Sequence, residues 1–128
     1  PLRTLGEIQG VCQDGGITYW EYVQEVEGKE VFDYLAEVWK VMTQAIERGL
    51  NEEGVLPGGL GVRRKASSYF VKSKGFQGSL KSRSRIYAYA LACMEENASG
   101  GRIVTAPTCG SSGGASRSAL SLAGQPRI

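Results

Sequence analysis

The chain has 128 residues, of which 41% are apolar, a net charge of +2 and no histidine. That is the length of about one domain, with enough apolar content for a single modest core. Within the chain it excludes a zinc site built on imidazole and any catalytic dyad or triad with histidine as base, and no apolar run approaches the ~20 residues of a membrane-crossing helix.

Leu5, Ile8 and Val11 share one helical face, and "DGG" at Asp14–Gly16 ends that helix. Thr18 then stands three residues before Glu21, the capping-box spacing in which each side chain satisfies the other's orphan backbone donor. A short helix from Tyr19 to about Glu27 follows and stops at Gly28. Val31, Tyr34 or Leu35, Val38, Met42 and Ala45 or Ile46 recur at three- and four-residue steps, predicting a longer helix that ends at Gly49. Pro57 and four glycines in "NEEGVLPGGLG" cannot continue it. Further helices are predicted from about Val62 to Lys72, from about Lys81 to Glu96 and from Ser112 to Leu122, with "RIVTA" as a short extended piece. The fold class is mainly α, a helical domain with two glycine-rich loops.

Those loops are "EEGVLPGGLGVRRKA" and "NASGGRIVTAPTCGSSGG". Glycine lets backbone N–H groups approach a ligand closely, and a helix N-terminus after such a loop favours an anion. The second loop has that form, without the spacing of a P-loop or of a dinucleotide-binding turn. Charge is uneven along the chain. Residues 1–64 carry 11 acids and 6 bases, and residues 65–128 carry 2 acids and 9 bases. No acid lies between Gly54 and Met94, where Arg63, Arg64, Lys65, Lys72, Lys74, Lys81, Arg83 and Arg85 accumulate. Nucleic acid is not the expected partner, because Tyr69 and Phe70 are the stacking groups offered in the basic half of that tract and no RNA- or DNA-binding motif appears. Arg63, Arg64 and Lys65 read as surface charge. Cys12, Cys93 and Cys109 contain no Cys-x-x-Cys pair and are too few for a disulfide framework. Cys12 and Cys93 read as buried residues, and the expected compartment is a reducing cytoplasm.

Residue order adds to this. "EVWKVMTQAIERGLNEEGVLPGGLGVRRKA" followed by "EENASGGRIVTAPTCGSSG" closely resembles the alpha chain, or alpha domain, of the iron–sulfur-dependent L-serine dehydratases. The resemblance covers roughly Leu35 to Gly113. It implies a lyase that converts L-serine to pyruvate and ammonia, with a 4Fe-4S cluster held by three cysteines acting as Lewis acid on the substrate hydroxyl. The family's glycine-rich signature falls on Asn97, Gly100, Gly101, Arg102, Thr105, Ala106, Pro107, Thr108, Gly110 and Gly113. On that basis Thr108, Gly110, Ser111 and Ser112 lie nearest the substrate carboxylate, with Asn97 and Arg102 as second choices and Leu56–Leu60 lining the same cleft. Asn97 also reads as a helix C-cap, Arg102 as a partner for Glu95 or Glu96, and Ser111 or Ser112 as a helix cap.

The family's cluster-binding cysteines are expected beyond Gly113, so the ligands are expected to be missing here; Cys109 is the weak metal candidate of this chain. Residues 1–113 are expected to be the N-terminal part of the alpha domain. Residues 114–128 form an atypical tail, as a truncation or shifted reading frame near Gly114 would produce. A serine dehydratase beta chain is the implied partner, and it would supply any histidine. The sequence assigns no catalytic base. A pyridoxal-phosphate dehydratase would need a longer α/β chain and a Schiff-base lysine. The non-catalytic alternatives are an inert helical fragment and a basic binding module using residues 63–85.

Overall fold

The computed structural model describes residues 4–105, 108 and 110. Among them are five helices: α1 (Leu5–Gly15), α2 (Tyr19–Glu27), α3 (Glu30–Asn51), α4 (Ala66–Ser73) and α5 (Gly78–Ala98). The described residues contain no strand beyond one isolated antiparallel bridge between Val55 and Arg63. The mainly α reading holds. The helix expected from Ser112 to Leu122 lies outside the described residues.

The chain divides into two compact units, Pro1–Glu37 and Val38–Ile128, and α3 runs from the first into the second. In the first unit, two capping boxes define the helix starts. Thr4 accepts the Glu7 N–H while Glu7 accepts the Thr4 N–H, and Thr18 and Glu21 repeat the arrangement. The second box is the one legible in the sequence. Donation from the Thr18 backbone, and then from its hydroxyl, holds the Glu21 carboxyl below its ordinary pKa. Gly16, in the left-handed region at φ 62°, closes α1. Cys12 is buried, whereas Leu5, Trp20 and Val26 are each more than half exposed. Local capping therefore specifies this unit more than burial does.

The second unit is built on close approach. Ile46 of α3, Ala66 of α4, and Ala92 and Cys93 of α5 form its buried cluster, with Leu50, Tyr89 and Leu91 packed around it. Small side chains at this contact bring backbones together. A Cβ on Gly49 would lie 2.5 Å from the Ala92 carbonyl oxygen. This explains why Gly49 does not end α3, as the sequence suggested. Gly49 is buried inside the helix, which continues to Asn51. The glycine is there for packing.

Two other helix boundaries also move. The helix expected from Val62 begins at Ala66, because residues 62–64 are taken up in backbone pairing with the first glycine loop. Leu56 N–H donates to the Val62 carbonyl at 2.8 Å, and Arg64 N–H to the Gly54 carbonyl at 2.9 Å. The helix expected from Lys81 to Glu96 runs from Gly78 to Ala98. Residues 102–105 of "RIVTA" lie outside any helix or strand, and Ala106 falls outside the described residues.

Candidate functional site

The last turns of α5 carry two adjacent carboxylates, Glu95 and Glu96, each only 5% exposed. Neighbouring positions on a helix point about 100° apart, so the two reach different targets. Glu95 Oε1 accepts the backbone N–H of Lys65 at 2.6 Å and of Ala66 at 3.1 Å. A side chain remote in sequence thus caps α4, where Lys65 makes no side-chain cap of its own.

Glu96 faces two arginines. Its Oε2 accepts Arg48 Nε at 2.9 Å, and its Oε1 accepts Arg64 Nη1 at 3.4 Å. Arg48 Nη2 also donates to the Arg102 carbonyl at 2.7 Å, and Arg64 Nη2 to Ser99 Oγ at 2.6 Å. Glu96 and Arg64 side chains are 6% and 9% exposed, while Arg48 is 41% exposed. This clasp ties α3, the end of the first glycine loop, α5 and the start of the second glycine loop to one carboxylate.

The second loop leaves α5 through a Schellman motif. Gly100 takes φ 74°, Gly101 N–H donates to the Glu96 carbonyl at 2.9 Å, and Gly100 N–H donates to the Asn97 carbonyl at 3.2 Å. Gly101 has a steric reason as well, since a Cβ there would lie 2.6 Å from Glu96 Oε2.

Of the residues expected at the substrate, Asn97 is exposed on the last turn of α5, which ends at Ala98 with Ser99 as C-cap. The C-cap role expected of Asn97 therefore passes to Ser99, because the left-handed turn falls at Gly100. Arg102 is exposed and forms no ion pair among the described residues. Glu95 is occupied by the α4 backbone and Glu96 by Arg48 and Arg64, so Arg102 joins the cluster only through its carbonyl. Thr108 and Gly110 are exposed. Ser111, Ser112 and Cys109 lie outside the described residues. Cys12 and Cys93 are each 6% exposed, as expected.

Arg64, expected on the surface, is instead the buried arm of the clasp. Tyr69 packs edge-on to Tyr87 with ring centroids 5.1 Å apart, and Phe70 lies 5.9 Å from Tyr89 with Lys74 Nζ over its ring. Tyr69 and Phe70 therefore stack within their own chain. Sequence reasoning missed Arg48, Glu95 and Glu96 as organisers. A signal was available for the two glutamates: Glu95 and Glu96 are the only acids after Glu53 and follow Cys93 closely on the same helix.

The family model described as Serine dehydratase alpha chain matches residues 13–123. The chain belongs to this family. An L-serine dehydratase of Streptomyces coelicolor is 39% identical over 120 residues, covering 88% of this chain and 26% of that protein. L-serine dehydratase 1 of Escherichia coli is 38% identical over 122 residues, covering 88% and 27%. The L-serine dehydratase alpha chain of Peptoniphilus asaccharolyticus is 31% identical over 121 residues, covering 88% and 41%. The chain thus spans about a quarter of the length of the first two relatives.

Proposed function

We propose that this chain supplies the carboxylate-binding part of an L-serine dehydratase, a lyase forming pyruvate and ammonia, and that a serine dehydratase beta chain completes the site. The observation that carries this reading is the state of the second glycine loop in a serine dehydratase alpha chain. The carbonyls of Glu96, Asn97 and Arg102 at its entry accept hydrogen bonds from Gly101, Gly100 and Arg48. These bonds use the Gly100 and Gly101 donors as well, so they fix the entry of the loop and leave ligand contacts to the residues beyond it. Arg48 and Arg64 both meet the single carboxylate of Glu96 there, leaving an excess of positive charge that favours an anion.

In this reading the N–H of Gly110 and the hydroxyls of Thr108, Ser111 and Ser112 hold the L-serine carboxylate. Asn97 and Arg102 border the site, and Leu56–Leu60 lines the same cleft. Holding the carboxylate fixes the orientation of the hydroxyl and amino groups before the reaction.

The implied 4Fe-4S cluster would supply a Lewis acid for the departing hydroxyl. The described residues do not fit it. No three His, Cys, Asp or Glu side chains among them come together as a metal site. Cys93 is packed with Ile46, Ala66 and Ala92, and Cys12 is buried in the other unit. Binding and orientation are the contribution assigned to this chain. Among the described residues no helix is long and apolar enough to cross a membrane, and the proposed compartment is the cytoplasm, where thiols stay reduced.

The test is a titration of the chain with L-serine, followed through the backbone amides of Gly100, Gly101, Thr108 and Gly110. Saturable shifts are expected, and Arg102→Gln weakens them. Absence of any shift at these four amides refutes the assignment. Pyruvate formed by the chain alone, after anaerobic supply of iron and sulfide, overturns the proposed division of labour.

A further inference from the structure

The first glycine loop and the start of α4 border an open surface cavity of about 350 Å³, lined by Glu53, Gly54, Arg63, Arg64, Ser67 and Ser68 among others. That volume is at the lower end of the roughly 300–1,000 Å³ of small-molecule sites, which are usually lined by apolar groups. A small cavity walled by charges and hydroxyls suits a small polar ligand instead.

Two opposite charges share this space without closing on each other. Among the described residues neither Glu53 nor Arg63 forms an ion pair. The Glu53 carboxylate accepts the Ser67 hydroxyl at 3.2 Å, which orients it. The backbone pairing of Gly54 with Arg64 and of Leu56 with Val62 fixes the chain segments that carry the two charges. Gly54, at φ 112°, has open space where a Cβ would stand, so the wall between them is not filled. Arg64 lines the cavity, but its guanidinium is already engaged by Glu96 and Ser99.

We propose that this cavity binds a free α-amino acid, with Arg63 and the Ser68 hydroxyl taking the carboxylate and Glu53 taking the ammonium. A zwitterion satisfies both charges at once. A simple anion meets Glu53 and a simple amine meets Arg63, so each half-ligand gains one contact and opposes the other charge. Because Arg64 runs from this cavity to Glu96 and Ser99, one side chain links an occupant to the second glycine loop. The inference does not depend on the carboxylate site proposed above, because the two sites report through different amides.

The experiment titrates the full chain with L-alanine while backbone amide shifts are recorded, with acetate and methylamine as half-ligands at matched ionic strength. Saturating shifts at Gly54, Ser67 and Ser68 are expected, and Glu53→Gln and Arg63→Gln each weaken binding about fivefold or more. Acetate and methylamine leave these amides nearly unmoved. The proposal is overturned if L-alanine produces no saturable shift there, if acetate binds as well as L-alanine, or if both variants bind as the parent does. Unchanged α5 amide shifts serve as the folding control for the variants. Should a variant unfold, the comparison of L-alanine with its half-ligands on the parent chain still decides. Shifts confined to Thr108 and Gly110 would support the carboxylate loop alone and overturn this second site.

Discussion

Replacing Gly49 with alanine tests the close approach of α3 and α5. On helix propensity alone the change stabilises, by about 1 kcal/mol in a helix interior. The packing predicts the opposite sign. The new Cβ would lie 2.5 Å from the Ala92 carbonyl oxygen and 2.8 Å from the Ala92 carbonyl carbon and Cα. All three are backbone atoms, so no rotamer change relieves the clash, and the helices must separate by about 1 Å to restore normal carbon contact. A gap of ~0.5–1 Å forfeits a quarter to a half of the dispersion attraction around it, and overpacking typically costs about 1–3 kcal/mol. Taking the upper end of that range and subtracting the propensity gain leaves a loss of about 2 kcal/mol. Urea unfolding followed by far-UV circular dichroism should place the midpoint about 1–2 M lower, for a slope of ~1–2 kcal/mol/M. Gly10→Ala is the matched control, since its Cβ would meet nothing within 4 Å; it should stabilise by up to about 1 kcal/mol. A Gly49→Ala chain that unfolds at the same urea concentration as the parent, or higher, refutes the reasoning.

Glu96→Leu removes the partner of buried Arg64 and should cost about 3 kcal/mol, read as a lower urea midpoint together with increased amide exchange at Gly101. Glu95→Ala strips the cap from the start of α4 and should cost about 1–2 kcal/mol, with faster amide exchange at Lys65 and Ala66 as its signature. Gly100→Ala places a side chain at φ 74° and should cost about 1–2 kcal/mol, whereas Gly100→Asn should recover part of the loss. The Glu21 carboxyl titrates below its ordinary value because the folded state holds it ionised. Its contribution to α2 is therefore complete above the ordinary carboxylate pKa and is lost as pH falls through the lowered one. In an NMR titration Thr18→Ala should raise that midpoint, and an unchanged midpoint would remove Thr18 as its cause.

Features governed by neighbours in sequence were legible beforehand. Thr18, Glu21 and Gly28 fix both ends of α2 within eleven positions, and the structure places those ends at Tyr19 and Glu27. Features governed by distant partners were not. Gly49 looks like a local stop signal because nothing near it in sequence reveals that Ala92 will lie against it. Val62 looks like helix until the first glycine loop folds back and claims its carbonyl. Arg64 looks like surface charge until Glu96 arrives from the far end of α5. The glycine signature identified the second loop by residue order, but order alone could not reveal that Arg48 holds its entry. Helices were readable from periodicity, while the clasp that positions the loops depends on tertiary contacts.

The clasp also dictates an order of assembly. Its hydrogen bonds join residues 54, 48, 35 and 32 positions apart, so each carries a loop-closure cost that local helix formation does not. Contact of α3 with α5 brings Arg48 to Glu96, and the approach of the first glycine loop and α4 to α5 brings Arg64. Residues 99–102 and 54–64, which the clasp holds, are therefore expected to order after the helices and to open before them, as amide exchange would show. A ligand that requires the ordered loop stabilises the clasp by mass action. Affinity at the candidate site and resistance to local opening are then two readings of one equilibrium, and a substitution on α3 far from any ligand can change both.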